Sequence, residues 1–264
     1  MISIISPSKT MKKSIEWRNT ISCDDVTYPA LYKQSNIILK ELKGYLAEEI
    51  AGLMKINERL AQLNYARFQR IKPMTGDEKG ICHKKSPAVF SYDGIQYKSM
   101  MLSEMSRENM EFMNSHIRIL SGFYGILRPL DMIDEYRLEM QTKIKINGCC
   151  GLYSFWKDTI AEEIIKTSET KGVVLNLASK EYSKAVEKYI LSSGIRFVDC
   201  IFKVEKNGKL KVESTASKKG RGAMVRFISE NHIDDIDGIK NFREDGFEYS
   251  EENSSENEIV FIKR

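Results

Sequence analysis

The chain has 264 residues, 42% of them hydrophobic and 30% charged, which supports a packed core and argues against a disordered chain. The length allows one large domain or two small ones, no apolar run approaches the ~20 residues of a bilayer crossing, and no secretory leader is visible, so the expected location is the cytoplasm. The net charge of +4 hides an asymmetry: eleven acids and four bases fall in Glu230–Arg264, leaving a net of +11 on the rest, a basic body suited to a polyanion with an acidic tail suited to shielding it.

Ile2–Ile5 predicts a short buried strand, and Ser6-Pro7-Ser8-Lys9-Thr10 a turn after it, because Pro stops a ladder and Ser and Thr favour turns. Such a loop is either an ordinary strand-end turn or, with its lysine, a holder for an oxyanion. Its spacing is not that of a P-loop. Pro29–Glu49 and Ile50–Arg70 carry apolar residues at helical spacing. Ile71–Lys85 is polar and reads as a loop, and Ala88–Tyr92 reads as a strand.

Ser106 is a suitable N-cap for a helix predicted to run through Leu120, with Met110, Met113, Ile117 and Leu120 facing inward. Gly122 then stands where a left-handed glycine ends a helix. The Gly122–Gly125 spacing is loosely that of a helix-hairpin-helix, whose backbone amides grip phosphates; a capped helix and a structural turn is the other reading. Arg128 precedes Pro129 and is pushed toward extended backbone. It and Arg137 stand in a stretch dense in Gly, Pro and aromatics, a composition suited to presenting amides and arginines.

Leu152–Thr167 predicts a helix with Trp156 in the core, and Val173–Leu177 a buried strand. Ser179 can cap a following helix, which puts Asn176, Ser179 and Tyr182 at the end of a strand and the start of a helix, where ligands often sit. Arg196–Glu205 and Lys209–Ser214 flank Asn207-Gly208, the signature of a type I′ hairpin. Ser217–Asn231 predicts a helix with Lys218, Lys219 and Arg221 in about its first turn. Cations there oppose the macrodipole, and a docked anion reverses the sign. Gly220 and Gly222 permit close approach of a phosphate backbone. Arg226, seven residues after Lys219, falls on its face. Glu258–Lys263 predicts a last strand.

Metal and nucleophilic chemistry find little support. His83, His116 and His232 form no H-x-x-x-H pair, and Cys82-His83 is too close in sequence for good chelation. The five cysteines (Cys23, Cys82, Cys149, Cys150, Cys200) contain no C-x-x-C and read as free thiols. No metal and no cofactor are expected. Ser6 and Lys9 have the composition of a Ser–Lys pair, but nothing else supports it, and Cys149 has no evident His partner. Arg137 with Glu139 reads as a structural ion pair.

The segment LSGFYGILRPLDMIDEYRLEM, ending at Met140, resembles the signature of the YaaA family, also called UPF0246 or DUF328. ISPSKT (Ile5–Thr10), LYSFWKDTI (Leu152–Ile160), VLNLASKEYSKAV (Val174–Val186) and KKGRGAMVRFISEN (Lys218–Asn231) resemble it in the same order. The resemblance implies a soluble bacterial protein of the peroxide-stress response that limits free iron and binds DNA through a positively charged cleft.

Residues and resemblance together lead to one α+β domain over 1–264, with a mixed sheet, surrounding helices and a basic cleft. The leading expectation is non-specific binding of duplex DNA, through phosphate contacts rather than base readout. The candidate contacts are Ser6, Lys9, Thr10, Gly122, Gly125, Arg128, Arg137, Asn176, Ser179, Tyr182, Lys218, Lys219, Arg221 and Arg226. The rival is an enzyme acting on a small phosphorylated or carboxylated metabolite in the same cleft, and a third reading is an interaction protein whose cleft is incidental. No membrane partner is expected.

Overall fold

Ile2–Ile5 (β1) lies in the middle of an eight-stranded mixed sheet among the described residues. The computed structural model describes residues 1–76, 84–168 and 172–264; the Cys82-His83 pair lies outside them. The other strands, in chain order, are Ile117–Ser121 (β2), Gly125–Leu127 (β3), Val173–Leu177 (β4), Arg196–Lys206 (β5), Lys209–Lys211 (β6), Phe247–Tyr249 (β7) and Glu258–Lys263 (β8). Across the sheet the order is β7-β8-β5-β4-β1-β2-β3, with β6 paired on β5. β8, β5, β4, β1 and β2 are mutually parallel; β3, β6 and β7 are antiparallel additions.

Parallel strands covered on both faces read as continuous apolar runs, and β1 (ISII) and β4 (VVLNL) do so. As expected of two buried strands, they share one sheet, and they are direct neighbours, with Ile2 opposite Val174 and Ile5 opposite Leu177. The β5–β6 hairpin also forms as expected: Asn207 and Gly208 both have positive φ, 52° and 70°, as a type I′ turn requires.

The main helices are Tyr32–Gly44 (α1), Ala47–Met54 (α2), Glu58–Arg70 (α3), Arg107–His116 (α4), Thr159–Ser168 (α5) and Ser214–Glu230 (α6). The helix expected through Leu120 stops at His116, and Ile117–Ser121 is strand β2. A short apolar run fits either period, and here both neighbouring strands claim it. Ala88–Ser91 is a helical turn rather than a strand. The helix expected over Leu152–Thr167 is broken between Leu152–Trp156 and α5, where Lys157 takes φ 46°.

The helix-hairpin-helix expected around Gly122–Gly125 is instead a β-hairpin, with Ser121 opposite Gly125 and Ile119 opposite Leu127. Its turn amides are already used: Phe123 N and Tyr124 N donate to Ser121 Oγ at 3.2 and 2.8 Å. Both glycines are there for packing. A Cβ on Gly122 would meet Leu138 O, and one on Gly125 would meet Leu31 and Trp156 at 2.9 Å. Trp156 Nε1 donates to Gly122 O at 3.0 Å, which seats the indole under the turn. Two helices joined by a tight hairpin do occur elsewhere, in α2 and α3. Lys55 there takes φ 52°, and Asn57 Oδ1 caps α3 by accepting from Leu60 N.

Candidate functional site

β1 connects to β2 on one side of the sheet, and the adjacent β4 connects to β5 on the other. Between β1 and β4 the loops diverge, which opens a crevice at the carboxyl ends of the strands, the usual ligand position in open α/β sheets. The two strand ends are tied across it. Ser179 N donates to Ser6 Oγ at 2.8 Å, and the two hydroxyls are 3.2 Å apart. Asn176 sits behind this junction. Its Nδ2 donates to Asp199 at 2.7 Å and its Oδ1 accepts from Ala178 N, so it braces the turn.

Above the junction is a cavity of about 470 Å³, within the roughly 300–1,000 Å³ range of small-molecule sites. Ser6, Lys9 and Thr10 line it from the β1 loop, Ser179 and Tyr182 from the β4 turn, and Lys218 and Arg221 from α6. The fourth wall is Gly94–Tyr97, whose Tyr97 hydroxyl donates to Ser6 O at 2.9 Å. Thr10 Oγ1 donates to Asp93 O, which pins the β1 loop against that wall.

Lys9 pairs with Glu139 at 2.8 Å, and Glu139 pairs with Arg137 at 2.9 Å, the ion pair expected from sequence. Burial would raise the Glu139 pKa, but hydrogen bonds and charge from Lys9 and Arg137 outweigh it and hold the carboxyl below its ordinary value. Glu181 also lines the cavity. Burial raises its pKa, the Gln141 amide opposes this, and the Glu139 charge adds to the rise. Arg221 has no ion pair among the described residues, and its buried Nε has no acceptor. Burial lowers its pKa, while Cys200 and Asp199 favour its charge.

The other expected residues lie elsewhere. Arg128 is exposed at a separate cavity of about 340 Å³, beside Arg118, Asp131 and Glu163. Arg226 is held by Glu244 and Glu230 and touches Met101. Lys219 is exposed and is not among the cavity-lining residues. α6 starts at Ser214, so Lys218, Lys219 and Arg221 sit beyond its first turn, where the macrodipole argument weakens. Protein fills the space over the α6 glycines: a Cβ on Gly220 would collide with the Phe202 ring, and one on Gly222 with the Gln96 carbonyl. The Gly94–Tyr97 wall was not anticipated, because the four-residue helix Ile95–Lys98 is too short to show a period.

Cys23 is disulfide-bonded, against the expectation of free thiols throughout; Cys149, Cys150 and Cys200 are free. Among the described residues no group of three or more His, Cys, Asp or Glu is placed to hold a metal ion. None of their helices is long and apolar enough to cross a membrane.

Fold and crevice together define an α/β protein with a ligand-sized, cation-lined cavity at a topological switch point. The chain belongs to the family of the peroxide stress protein YaaA, which residues 1–253 match. It is 43% identical over 263 residues to the UPF0246 protein of Clostridioides difficile (strain 630), covering 100% of both chains. It is 42% identical over 260 residues to the UPF0246 protein of Ligilactobacillus salivarius, covering 98% of each. It is 39% identical over 260 residues to that of Desulfitobacterium hafniense, covering 98% of this chain and 97% of the relative.

Proposed function

We propose that this protein serves in the peroxide-stress response by binding duplex DNA without sequence preference, and that it limits free intracellular iron and oxidative DNA damage. The observation that carries the reading is the meeting of Lys9, Lys218 and Arg221, from segments far apart in sequence, around one cavity. Lys9 is paired with Glu139 and Glu181 lines one side, whereas Lys218 and Arg221 share the other side with no carboxylate paired to them among the described residues, which favours an anion there. The net +11 outside the acidic tail supplies the long-range attraction. The α2–α3 hairpin, with exposed Lys55 and Arg59 at the start of α3, is a second surface suited to phosphate.

The test is duplex affinity against salt for wild type, Lys218→Ala/Arg221→Ala and the surface control Lys43→Ala. The double variant is expected to lose affinity on all sequences alike and to flatten the log–log salt slope by about one per lost phosphate contact. Unchanged affinity and slope would remove α6 from the DNA interface. The cavity's position at a switch point favours a second reading, an enzyme on a small phosphorylated or carboxylated metabolite. That reading predicts loss of a small anion in the same variant with duplex binding intact.

A further inference from the structure

The cavity at the switch point is built more specifically than a phosphate-tracking groove needs. Gln96 lines it and is only 7% exposed, yet its Nε2 has no hydrogen-bond partner. Arg221 lines it as well, and its Nε is also without an acceptor. Folded proteins leave few buried donors unpaired, because each one costs stability. Other buried donors, such as the Nε atoms of Arg67, Arg137 and Arg226, also lack hydrogen-bond partners, but among the described residues only Gln96 and Arg221, on facing elements, combine an unpaired buried donor with a place in the lining of this cavity, where a ligand would supply the acceptors. The facing is enforced by Gly222: its lack of a Cβ lets α6 close on the Gln96 carbonyl.

Size and charge narrow the ligand. An inorganic anion would leave most of about 470 Å³ empty. Gln96, Arg221 and the exposed Lys218 offer donors to three oxygens and two cations to a dianion. Pro7, Ile95 and Tyr182 offer the apolar surface that a ring system needs. Glu181 on the same lining disfavours an anion beside it, so the charged end belongs on the side of Arg221 and Lys218. A phosphodiester inside a continuous strand has one charge, two free oxygens and chain leaving in both directions. A phosphate monoester has two charges, three free oxygens and chain on one side only.

We propose that this cavity binds a phosphate monoester carried on a nucleotide-sized group, either a free nucleoside monophosphate or the terminal phosphate of a nucleic acid strand. Oxidative scission of DNA leaves terminal phosphates, so the second source deepens the DNA-binding reading and rests on it; the first does not.

The experiment uses the full chain and five probes: adenosine 5′-monophosphate, adenosine, a dumbbell duplex with no ends, and two gapped duplexes, one ending in phosphate and one in hydroxyl. AMP is expected to raise the melting temperature where adenosine does not, or the phosphate-ended gap to bind about tenfold tighter than its hydroxyl twin, the equivalent of about 1.4 kcal/mol. Gln96→Leu and Arg221→Met should abolish that preference while keeping the wild-type circular dichroism. Preference confined to AMP assigns the free nucleotide, and preference in the gapped duplex assigns the strand end. If wild type binds the dumbbell but shows no monoester preference with either pair, this proposal is overturned and the DNA reading stands. If it prefers AMP but binds no duplex, the DNA reading falls and the cavity assignment stands. A preference that survives both substitutions overturns the assignment to this cavity.

Discussion

Ser6 and Ser179 are 173 residues apart, and the Ser179 amide donates to the Ser6 hydroxyl at 2.8 Å. One side-chain oxygen thus closes the floor of the crevice by accepting a main-chain N–H. Ser6→Ala leaves that amide without a partner and is expected to cost about 1–3 kcal/mol. Ser179→Ala keeps the amide bond, loses only the 3.2 Å contact between hydroxyls, and should cost less. Urea unfolding of both variants checks the order; equal costs would show that the amide bond is not what holds the floor.

Glycines at two helix positions should respond with opposite sign. Gly222→Ala gains helix propensity but drives its methyl into the Gln96 carbonyl, so overpacking dominates and the variant loses roughly 1–3 kcal/mol. Gly52, exposed within α2, has open space where a Cβ would stand, with no neighbouring atom within 4 Å. Gly52→Ala should therefore gain about 0.5–1 kcal/mol. Thermal melts of the pair decide it.

Asp131 should make neutral pH costly. It is 1% exposed, and burial pushes its pKa up to about 6, against opposing interactions with Thr27, Arg128 and Arg118. The folded state therefore binds its proton more tightly than the unfolded chain does. Stability from this group is full below about pH 4 and is lost as pH rises through about 6, by on the order of 3 kcal/mol. Asp131→Asn removes that slope, so its stability relative to wild type should rise between pH 4 and 7. A difference that stays flat with pH would show that Asp131 folds ionised.

Glu139 restrains two cations at the edge of the cavity. Glu139→Gln keeps the shape, removes one negative charge and releases Lys9 and Arg137. On the DNA reading, duplex affinity at low salt should rise and the log–log salt slope should steepen by about one to two. Weaker binding in this variant would mean that the Lys9–Glu139–Arg137 arrangement itself is what a partner recognises.

Much of the sheet was legible because its signals are local. β1 and β4 are continuous apolar runs, and Asn207-Gly208 dictates its turn chemistry within two residues. Ile117–Leu120 admits two readings because three apolar residues in four fit both periods, and only the strands on either side decide between them. The site was legible in part for the same reason. Ser6, Lys9, Ser179 and Tyr182 stand near element ends that punctuation residues reveal, and Lys218 and Arg221 stand out as cations beside glycines within α6. Gln96 and Tyr97 do not, since a four-residue helix leaves no pattern. Arg128 looked like a member because it sits beside the signature glycines, yet those glycines serve the packing of Trp156 and Leu31, and the hairpin carries Arg128 to another cavity.

β1 is synthesised well before either of its neighbours, β2 and β4. Until both have left the ribosome, ISII is an apolar segment with no partner on either edge, and the crevice has only one of its two lips. Protein interrupted before Leu177 should therefore expose that segment to chaperones and to aggregation, and should recover no part of the site on its own. The wait for distant pairings also places this fold among those that assemble slowly.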